Sequence, residues 1–221
     1  MNHDIPTYSL AERDRRWAMA RDLMAAEDVD VLVVFGEREG ALPAPFAFDN
    51  YLTNDRPGSI VVFPREGEPL AFVPLPMYAA DNFESHQRGD AVWIGPRNFR
   101  FPRHPAAIAD AVRTFAGERC TVGVVGAEPM PPYYFIPPLP VGLQAGMAHA
   151  LPNATVKPVG HHLMQMMLRQ SDEELAVVRH AAAIGDEMAR AMIAATRPGA
   201  TEAEIYRAAT AAAIDNGMVP P

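Results

Sequence analysis

The chain has 221 residues and a formal net charge of −8, with 49% hydrophobic and 21% charged residues. These proportions are those of a globular protein that is long enough for one or two domains with a real core. The acidic balance argues against a general nucleic-acid binder, which would show a basic patch. No apolar run reaches the ~18 residues of a membrane span.

The N-terminus and the cysteine content point to one compartment. "MNHDIPTYSL" lacks the basic and then apolar pattern of a signal peptide. Cys120 is the single cysteine, which excludes an internal disulfide and favours a cytoplasmic location. It begins an apolar strand pattern, where a buried small side chain is expected rather than a nucleophile.

Helical and strand patterns alternate through the first part of the chain. Ser9 and Glu12 form a capping box before a helical pattern, and Gly67 lies in a turn between two predicted strands. The predicted strands are "DVLVVFG", "SIVVFP", "LAFVPL", "DAVWIG", "TVGVVG" and, at an edge, "ATVKPV"; the further predicted helices are "MYAADNFESHQ", "HPAAIADAVRTFA" and "PVGLQAGMAHALP". This alternation predicts an α/β domain over 1–159, with a central mixed sheet flanked by helices.

From His161 onward the pattern is helical only. Ser171 and Thr201 each open a capping box with a glutamate three residues later, and Pro198-Gly199 separates the two helices. The first of these helices has an apolar face that is predicted to be buried: Val177, Ala181, Ile184, Met188 and Ala191. Two amphipathic helices cannot bury such faces alone, so 160–221 is predicted to be a linker and the opening helices of an incomplete second domain.

No cluster of metal ligands or phosphate-binding glycines is evident in the sequence. His161-His162 is the one adjacent histidine pair, and neighbours on a helix point ~100° apart, which disfavours shared ligation. Met164, Met166 and Met167 are expected to fill a core or an interface. We therefore predict no catalytic residue and no metal ligand in this chain.

The order of these features resembles the creatinase/prolidase/aminopeptidase P family of pita-bread metallohydrolases. "RQSDEELAVVRHAAAIGDEMARAMIAATRPGATEAEI" is similar to the first two catalytic-domain helices of that family. "NYLTNDRPGSIVVFPREGEPLAFVP" resembles the Tyr-Leu-Thr segment and hairpin of its N-terminal domain, and "RRWAMARDLMAAEDVDVLVVFG" resembles its opening helix and strand. One departure is Arg169-Gln170 where the family usually has a lysine, although the cap at Ser171 is kept.

The resemblance implies a metal-dependent hydrolase of a small peptide or other small amide, such as an Xaa-Pro bond. In the family, two Asp, one His and two Glu hold a pair of divalent metals, which could be manganese, cobalt, iron or zinc. Those ligands lie on strands beyond the Pro-Gly-x-Thr-Glu turn, and this sequence ends before the first of them. We therefore expect the 221-residue chain alone to be inactive and the intact protein to be a cytoplasmic homodimer.

The polar segment "AFDNYLTNDRPGS" has two interpretations. Asn-Asp before Arg-Pro-Gly favours an ordinary turn. The resemblance implies a second role, because the corresponding loop of creatinase-like dimers reaches the neighbouring subunit's active site, where an arginine recognises the substrate carboxylate. Family spacing places this role on Tyr51 and Arg56, with Asp55 beside them. Arginine suits the task because its planar fork pairs both carboxylate oxygens.

Two alternatives stay open at the level of sequence. Relatives of the fold include a lyase acting on dimethylsulfoniopropionate, so the reaction could be C–S cleavage instead of amide hydrolysis. If 221 residues are the native product, the chain would be a non-catalytic binding or dimerisation module, similar to the inactive peptidase-like domain of a histone chaperone subunit.

Overall fold

A computed structural model describes residues 5–36, 47–129 and 137–218. The chain divides into two compact units. The sheet unit, Ser9–Arg169, contains α1 (Leu10–Ala26), β1 (Val31–Phe35), α2 (Phe48–Thr53), β2 (Ile60–Pro64), β3 (Leu70–Phe72), α3 (Pro76–Arg88), β4 (Phe99–Arg100), α4 (Pro105–Ala116), β5 (Thr121–Val125), α5 (Val141–Ala150), β6 (Thr155–Pro158) and α6 (Gly160–Met167). The helical unit, described over 5–8 and 170–218, contains α7 (Asp172–Ala195) and α8 (Glu202–Asp215).

The sheet unit is built on six strands in the order β4-β3-β2-β1-β5-β6. β1, β2 and β3 are consecutive antiparallel strands, whereas β5 pairs with β1, β6 with β5 and β4 with β3 in parallel. In the centre, Val33 lies opposite Val62 on one side and Val124 on the other. The predicted mixed sheet is confirmed, as is β6 at its edge.

Alternate residues of each strand separate two apolar clusters, because successive side chains point to opposite faces of a sheet. Leu32 and Val34 of β1 pack with residues of α1, α2 and α6 on one face. Val31 and Val33 pack with residues of α4 and α5 on the other. The uninterrupted apolar run of β1 thus reflects burial on both faces, and Cys120 belongs to the second cluster, as predicted.

The predicted strand "DAVWIG" is wrong. Asp90–Gly95 forms no strand, and the position beside β3 is taken instead by Phe99–Arg100, after a short 3₁₀ turn. Trp93 and Ile94 are nevertheless buried. Their apolar character therefore reflects side-chain packing and not backbone pairing.

Helix α6 follows β6 and belongs to the sheet unit. Helix α6 packs against the first apolar cluster through Leu163 and Met166, and Met164 and Met167 also contact it. The methionine-rich segment is thus core filler, as predicted. The compact unit consequently ends at Arg169.

The helical unit contains the two predicted capping boxes. Ser171 accepts a hydrogen bond from the Glu174 N–H, and Thr201 accepts one from the Glu204 N–H, with each glutamate bonding back to the cap. The apolar face of α7 is only partly covered, in agreement with the expectation that the two helices cannot bury such faces alone: Val177, Ile184, Met188 and Ala191 are half-buried, and Ala181 is exposed. Large apolar residues of this unit are also exposed: Val178, Met192, Ile193, Tyr206 and Ile214.

Candidate functional site

Two of the three predicted substrate-binding residues lie in the loop between α2 and β2. Helix α2 ends at Thr53, and Asn54 follows in the left-handed conformation with φ of 50°, its N–H bonded to the Asn50 carbonyl at 2.7 Å. Asp55 and Arg56 come next, before the Pro57-Gly58 step into β2. The predicted turn therefore exists, but it begins at Asn54, because the residues before it are helical.

This loop, residues 54–59, is braced by side chains at both of its ends. At its start, the Asn50 Nδ2 donates to the Asp55 carbonyl, and the Asp55 N–H donates to the Thr53 hydroxyl at 3.3 Å. At its end, the Gly58 carbonyl accepts from the Arg103 Nη1 at 2.5 Å. These bonds fix the backbone from which the Arg56 side chain projects.

A buried carboxylate also holds the end of the loop. Asp49 is 0% exposed, and its Oδ2 accepts from the N–H groups of Gly58 at 2.8 Å and Ser59 at 2.9 Å. Burial raises the pKa of Asp49 to about 6, and the backbone N–H donors oppose that rise only in part. Its carboxylate fills the space beside Gly36, where an added Cβ would lie 2.1 Å from the Asp49 Cγ.

Arg56 is the exposed cation of the loop. Its side chain is 45% exposed, and its Nη2 lies 2.8 Å from the Asp81 Oδ2. Its Nε lies 3.8 Å from the Asp55 Oδ1, and its guanidinium carbon is 4.1 Å from the ring centroid of Tyr78. The ring of Tyr78 orients the guanidinium, while the carboxylates occupy the positions that an incoming carboxylate would take.

Asp55 lies beside Arg56, as predicted. Its Oδ1 accepts the Arg56 N–H at 2.7 Å, and burial raises the pKa of its carboxyl above the ordinary value, an effect that the N–H bond and charge of Arg56 oppose. Asp55 therefore orients the backbone of Arg56 and contributes negative charge beside its guanidinium.

Tyr51 lies away from these two residues. It is 4% exposed, belongs to the first apolar cluster, and has the Arg16 guanidinium carbon 4.3 Å from its ring centroid. Arg16 is itself buried and pairs with Glu12 at 2.7 Å. The structure thus brings half-buried Asp55 and exposed Arg56 together and places Tyr51 on the side of α2 that faces the core.

The sequence did not reveal the part that α3 plays. Tyr78 and Asp81 are three residues apart on α3, so they share one helix face, and this face meets Arg56. A polar cavity of about 240 Å³ lies at this junction, with Arg56, Asp81 and Asn82 in its wall. Nothing in the local pattern of α3 signals that contact, because it depends on how the helix packs beside the loop.

The metal pair that the resemblance implies does not fit the described part of the chain. No group of three or more His, Cys, Asp or Glu residues within 5–36, 47–129 and 137–218 could hold an ion. His161 and His162 are both exposed, and the His162 Nδ1 lies 3.0 Å from the Glu27 Oε1. Across the same described residues, every helix is too short or too polar to cross a membrane.

Comparison with solved structures identifies the fold. The prolidase from Pyrococcus horikoshii matches 92% of this chain at a TM-score of 0.63 and 15% identity. The X-Pro aminopeptidase from Thermotoga maritima matches 91% of it at a TM-score of 0.66 and 14% identity. Dipeptidase PepE from Mycobacterium ulcerans matches 95% of it at a TM-score of 0.60 and 20% identity.

The match covers only part of each of those proteins. The chain spans about half the length of the structures it matches: 49% of the first, 49% of the second and 51% of the third. No protein-family model and no curated protein matches the sequence. The chain therefore has the fold of the N-terminal region of prolidase-type and aminopeptidase P-type structures, at low sequence identity.

Proposed function

We propose that this chain is the N-terminal part of an Xaa-Pro peptidase or creatinase-like metal-dependent hydrolase, in which it serves substrate recognition and dimerisation. The observation that carries the proposal is the fold match, which extends over 91–95% of this chain and about half of each peptidase. Those proteins are named as enzymes acting on X-Pro bonds or dipeptides. The same substrate class, small peptides with a free carboxylate, is proposed for the intact protein.

Residues 1–159 form the recognition domain in this proposal, and 160–221 open the catalytic domain. The divalent metal pair would be held by residues outside the described part of the chain, since those described offer no suitable group. A cytoplasmic location belongs to the same proposal and is supported by the free, buried thiol of Cys120.

Arg56 is assigned the contact with the substrate carboxylate, across a homodimer interface. Three features support the assignment: its guanidinium is partly exposed, its backbone is braced, and a carboxylate is already bound to it in the form of Asp81. A substrate carboxylate would replace that of Asp81 on the same fork. Tyr51 lies on the core-facing side of α2, so it would support the loop through packing and is not expected to contact the substrate.

A non-catalytic binding or dimerisation module is the second candidate. The lack of a metal-holding group among the described residues is compatible with this candidate as it is with the first. The two candidates differ in whether any coding sequence beyond Pro221 supplies Asp, Asp, His, Glu and Glu in that order, and in whether the protein cleaves peptides.

Kinetics of the protein expressed with all residues that its gene encodes after Pro221 provide the test. Arg56→Ala should raise KM for a carboxylate substrate such as Gly-Pro by about tenfold to a hundredfold, because a charge-assisted hydrogen bond is lost. Arg56→Lys should raise KM less, since it keeps the charge but loses the planar fork. Asp81→Asn should lower KM, because it removes the competing carboxylate.

Arg97→Ala is the control, since Arg97 is an exposed arginine of the same unit that does not line the cavity at Arg56. It should leave the kinetics unchanged. Melting temperatures of all variants should stay close to that of the parent, because exposed ion pairs contribute little to stability. Kinetics unaffected by Arg56→Ala would reduce Arg56 to a turn residue, and a protein without metal or peptidase activity would favour the second candidate.

A further inference from the structure

A second cavity of the sheet unit has no part in the proposed function. Its volume is about 440 Å³, within the range of roughly 300–1,000 Å³ that small-molecule sites occupy. It shares no described lining residue with the cavity at Arg56. Its walls come from different elements, and its chemistry is different.

The cavity lies at the carboxyl end of the parallel pair β1 and β5. Phe35 and Gly36, at the end of β1, form part of its wall. Pro138 forms another part and lies 3.5 Å from the Cβ position of Gly126, which follows β5. Crevices outside the carboxyl ends of parallel strands are where open α/β sheets bind their ligands.

Most of the described wall is apolar. Phe35, Ile60 and Leu143 contribute hydrocarbon surface, and three prolines add rigid rings: Pro105, Pro138 and Pro140. Such a wall binds an apolar body without an induced rearrangement, since rings and branched side chains lose little freedom on contact. The described wall also includes His104, whose Nδ1 accepts the Ala107 N–H at 3.3 Å.

One cation projects from this apolar wall. Arg103 is half-buried, and its Nη1 donates to the Gly58 carbonyl. Its guanidinium has further donors, which form no hydrogen bond with the described residues and are suited to a ligand. Among the residues that the structure describes, no carboxylate forms an ion pair with Arg103 and none lines the cavity. In a protein of net charge −8, an arginine that has no acidic partner among the described residues and lies in an apolar cavity is suited to bind an anion.

The N-terminus of helix α5, which borders the cavity, also favours an anionic ligand. Helix α5 begins at Val141 without a side-chain cap, and Pro140, Gly142 and Leu143 of its first turn line the cavity. The N–H groups of Val141 and Gly142 therefore have no intrahelical partner and present a partial positive charge, whereas the Leu143 N–H bonds to the Pro140 carbonyl at 3.0 Å. This effect supplements Arg103 and would be insufficient by itself.

We propose that the cavity binds a small organic monocarboxylate with an apolar body, its carboxylate on the Arg103 guanidinium and its body against Phe35, Ile60 and Leu143. Inorganic phosphate can pair with the Arg103 guanidinium but has no apolar body for the wall. A neutral amide can pack against the apolar wall but cannot form an ion pair with Arg103. The three chemistries can be separated with the purified 221-residue chain, because the cavity lies within one compact unit.

The experiment is a titration of the ¹⁵N-labelled chain with 3-phenylpropionate, 3-phenylpropanamide and phosphate, followed by amide chemical shifts. We expect 3-phenylpropionate to shift the signals of Gly36, Gly142 and Leu143 in a saturable way. The amide should bind about tenfold or more weakly, because it cannot form the charged pair. Phosphate should leave these signals in place.

Two variants locate the site, and a third serves as a control. Arg103→Met should weaken 3-phenylpropionate binding by about tenfold or more, while Arg97→Met removes an exposed arginine outside the cavity and should leave binding unchanged. Gly142→Leu should abolish binding by filling the cavity. It is expected to fold, because a Cβ at Gly142 meets no atom within 4 Å.

Several results would overturn the proposal. Equal affinities for the acid and the amide would mean that the Arg103 guanidinium does not pair with the carboxylate of the ligand. Unchanged binding in Gly142→Leu would place the acid elsewhere on the surface, and this variant decides the matter even if Arg103→Met loses its brace on Gly58 and unfolds. No shift of these signals at about 10 mM 3-phenylpropionate would mean that the cavity has no useful affinity for the class.

Discussion

The buried environment of Asp49 disfavours the ionised form of its carboxyl group. It is fully buried, and its pKa is raised to about 6 from an ordinary value of 3.8. The folded state therefore holds this proton more tightly than the unfolded state does. Stability from this group is greatest at low pH and declines as pH rises from 3.8 through 6, by on the order of 2–3 kcal/mol in all.

We predict that Asp49→Asn removes this pH dependence. The asparagine keeps the size of the side chain and an oxygen for the N–H groups of Gly58 and Ser59, but it does not titrate between pH 4 and 7. Urea unfolding of both proteins at about pH 4.5 and 7 measures the effect. The parent should lose stability relative to the variant on going to pH 7, and a constant difference between the two proteins would contradict the raised pKa.

Arg16 and Arg15 form a natural comparison, since both pair with Glu12 at 2.7 Å but differ in exposure. The Arg16 side chain is 3% exposed, donates to the Tyr51 carbonyl at 3.2 Å and lies over the Tyr51 ring, whereas that of Arg15 is 31% exposed. Arg16→Met should lower the free energy of unfolding by roughly 2–4 kcal/mol, because a buried, hydrogen-bonded charge is lost.

The exposed partner should behave differently. Arg15→Met should cost less than about 1 kcal/mol, because exposed ion pairs gain little over hydration. Chemical denaturation of the two variants beside the parent gives both values. Equal losses would mean that burial does not decide the strength of this pair.

At the scale of elements, local signals predicted most of the fold. Capping boxes at Ser9, Ser171 and Thr201 marked three helix starts, because a cap depends only on residues within one turn. Alternation and apolar runs marked β1, β2, β3, β5 and β6. "DAVWIG" was misassigned because its local pattern resembles a strand, while the choice of Phe99–Arg100 as the partner of β3 is made by distant packing.

The candidate site was predictable to a smaller extent, for the same reason. The sequence alone indicated the polar loop and Arg56, and the Asn-Asp pair before Arg-Pro-Gly predicted a turn there. The contact with Asp81 and Tyr78 of α3, and the burial of Asp49, depend on tertiary neighbours that no short motif records. Tyr51 was placed with Arg56 by spacing, yet helical geometry turns it towards the core.

The packing of α4 on α5 depends on a glycine. A Cβ added at Gly146 would lie 2.6 Å from the Cγ and 2.7 Å from the Cβ of Pro105, a ring that cannot rotate away. Gly146→Ala should therefore destabilise the protein by roughly 1–3 kcal/mol through overpacking, although alanine is the better helix former.

The control for this contact lies in the same helix. Gly142→Ala meets no atom within 4 Å, so it should leave stability unchanged or raise it slightly. Gly146→Ala should lower the melting temperature of the protein, whereas Gly142→Ala should leave it unchanged or raise it slightly. If Gly146→Ala were neutral, α5 would have to shift freely over Pro105.

At the scale of the whole molecule, the chain consists of a sheet unit with two apolar clusters and a helical unit in which the described residues form two long helices. The helical unit leaves Ile193 75% exposed and Tyr206 72% exposed. Large exposed apolar residues in one small unit favour association or local opening. The connection between the units is therefore the place where we expect the chain to be accessible.

Limited trypsin digestion tests that expectation. Arg169 is exposed and lies between the end of α6 at Met167 and the start of α7 at Asp172, outside regular structure. Trypsin cleaves a bond only when several residues around it become extended. Cleavage at Arg65 would therefore require the β2–β3 hairpin to open. Arg56 and Arg197 are each followed by proline, which trypsin does not cleave. Among the arginines of the described residues, Arg169 should be cut first.

The expected product is a stable fragment that ends at Arg169, identified by its intact mass. Arg169→Gln should abolish this fragment, because trypsin needs the basic side chain, while Arg65→Gln, which changes an arginine 48% exposed in the hairpin turn, should leave it in place. A fragment that persists in Arg169→Gln would place the accessible segment elsewhere. Resistance of the Arg169–Gln170 bond in the parent would mean that the helical unit is held against further surface and does not open on the time scale of digestion.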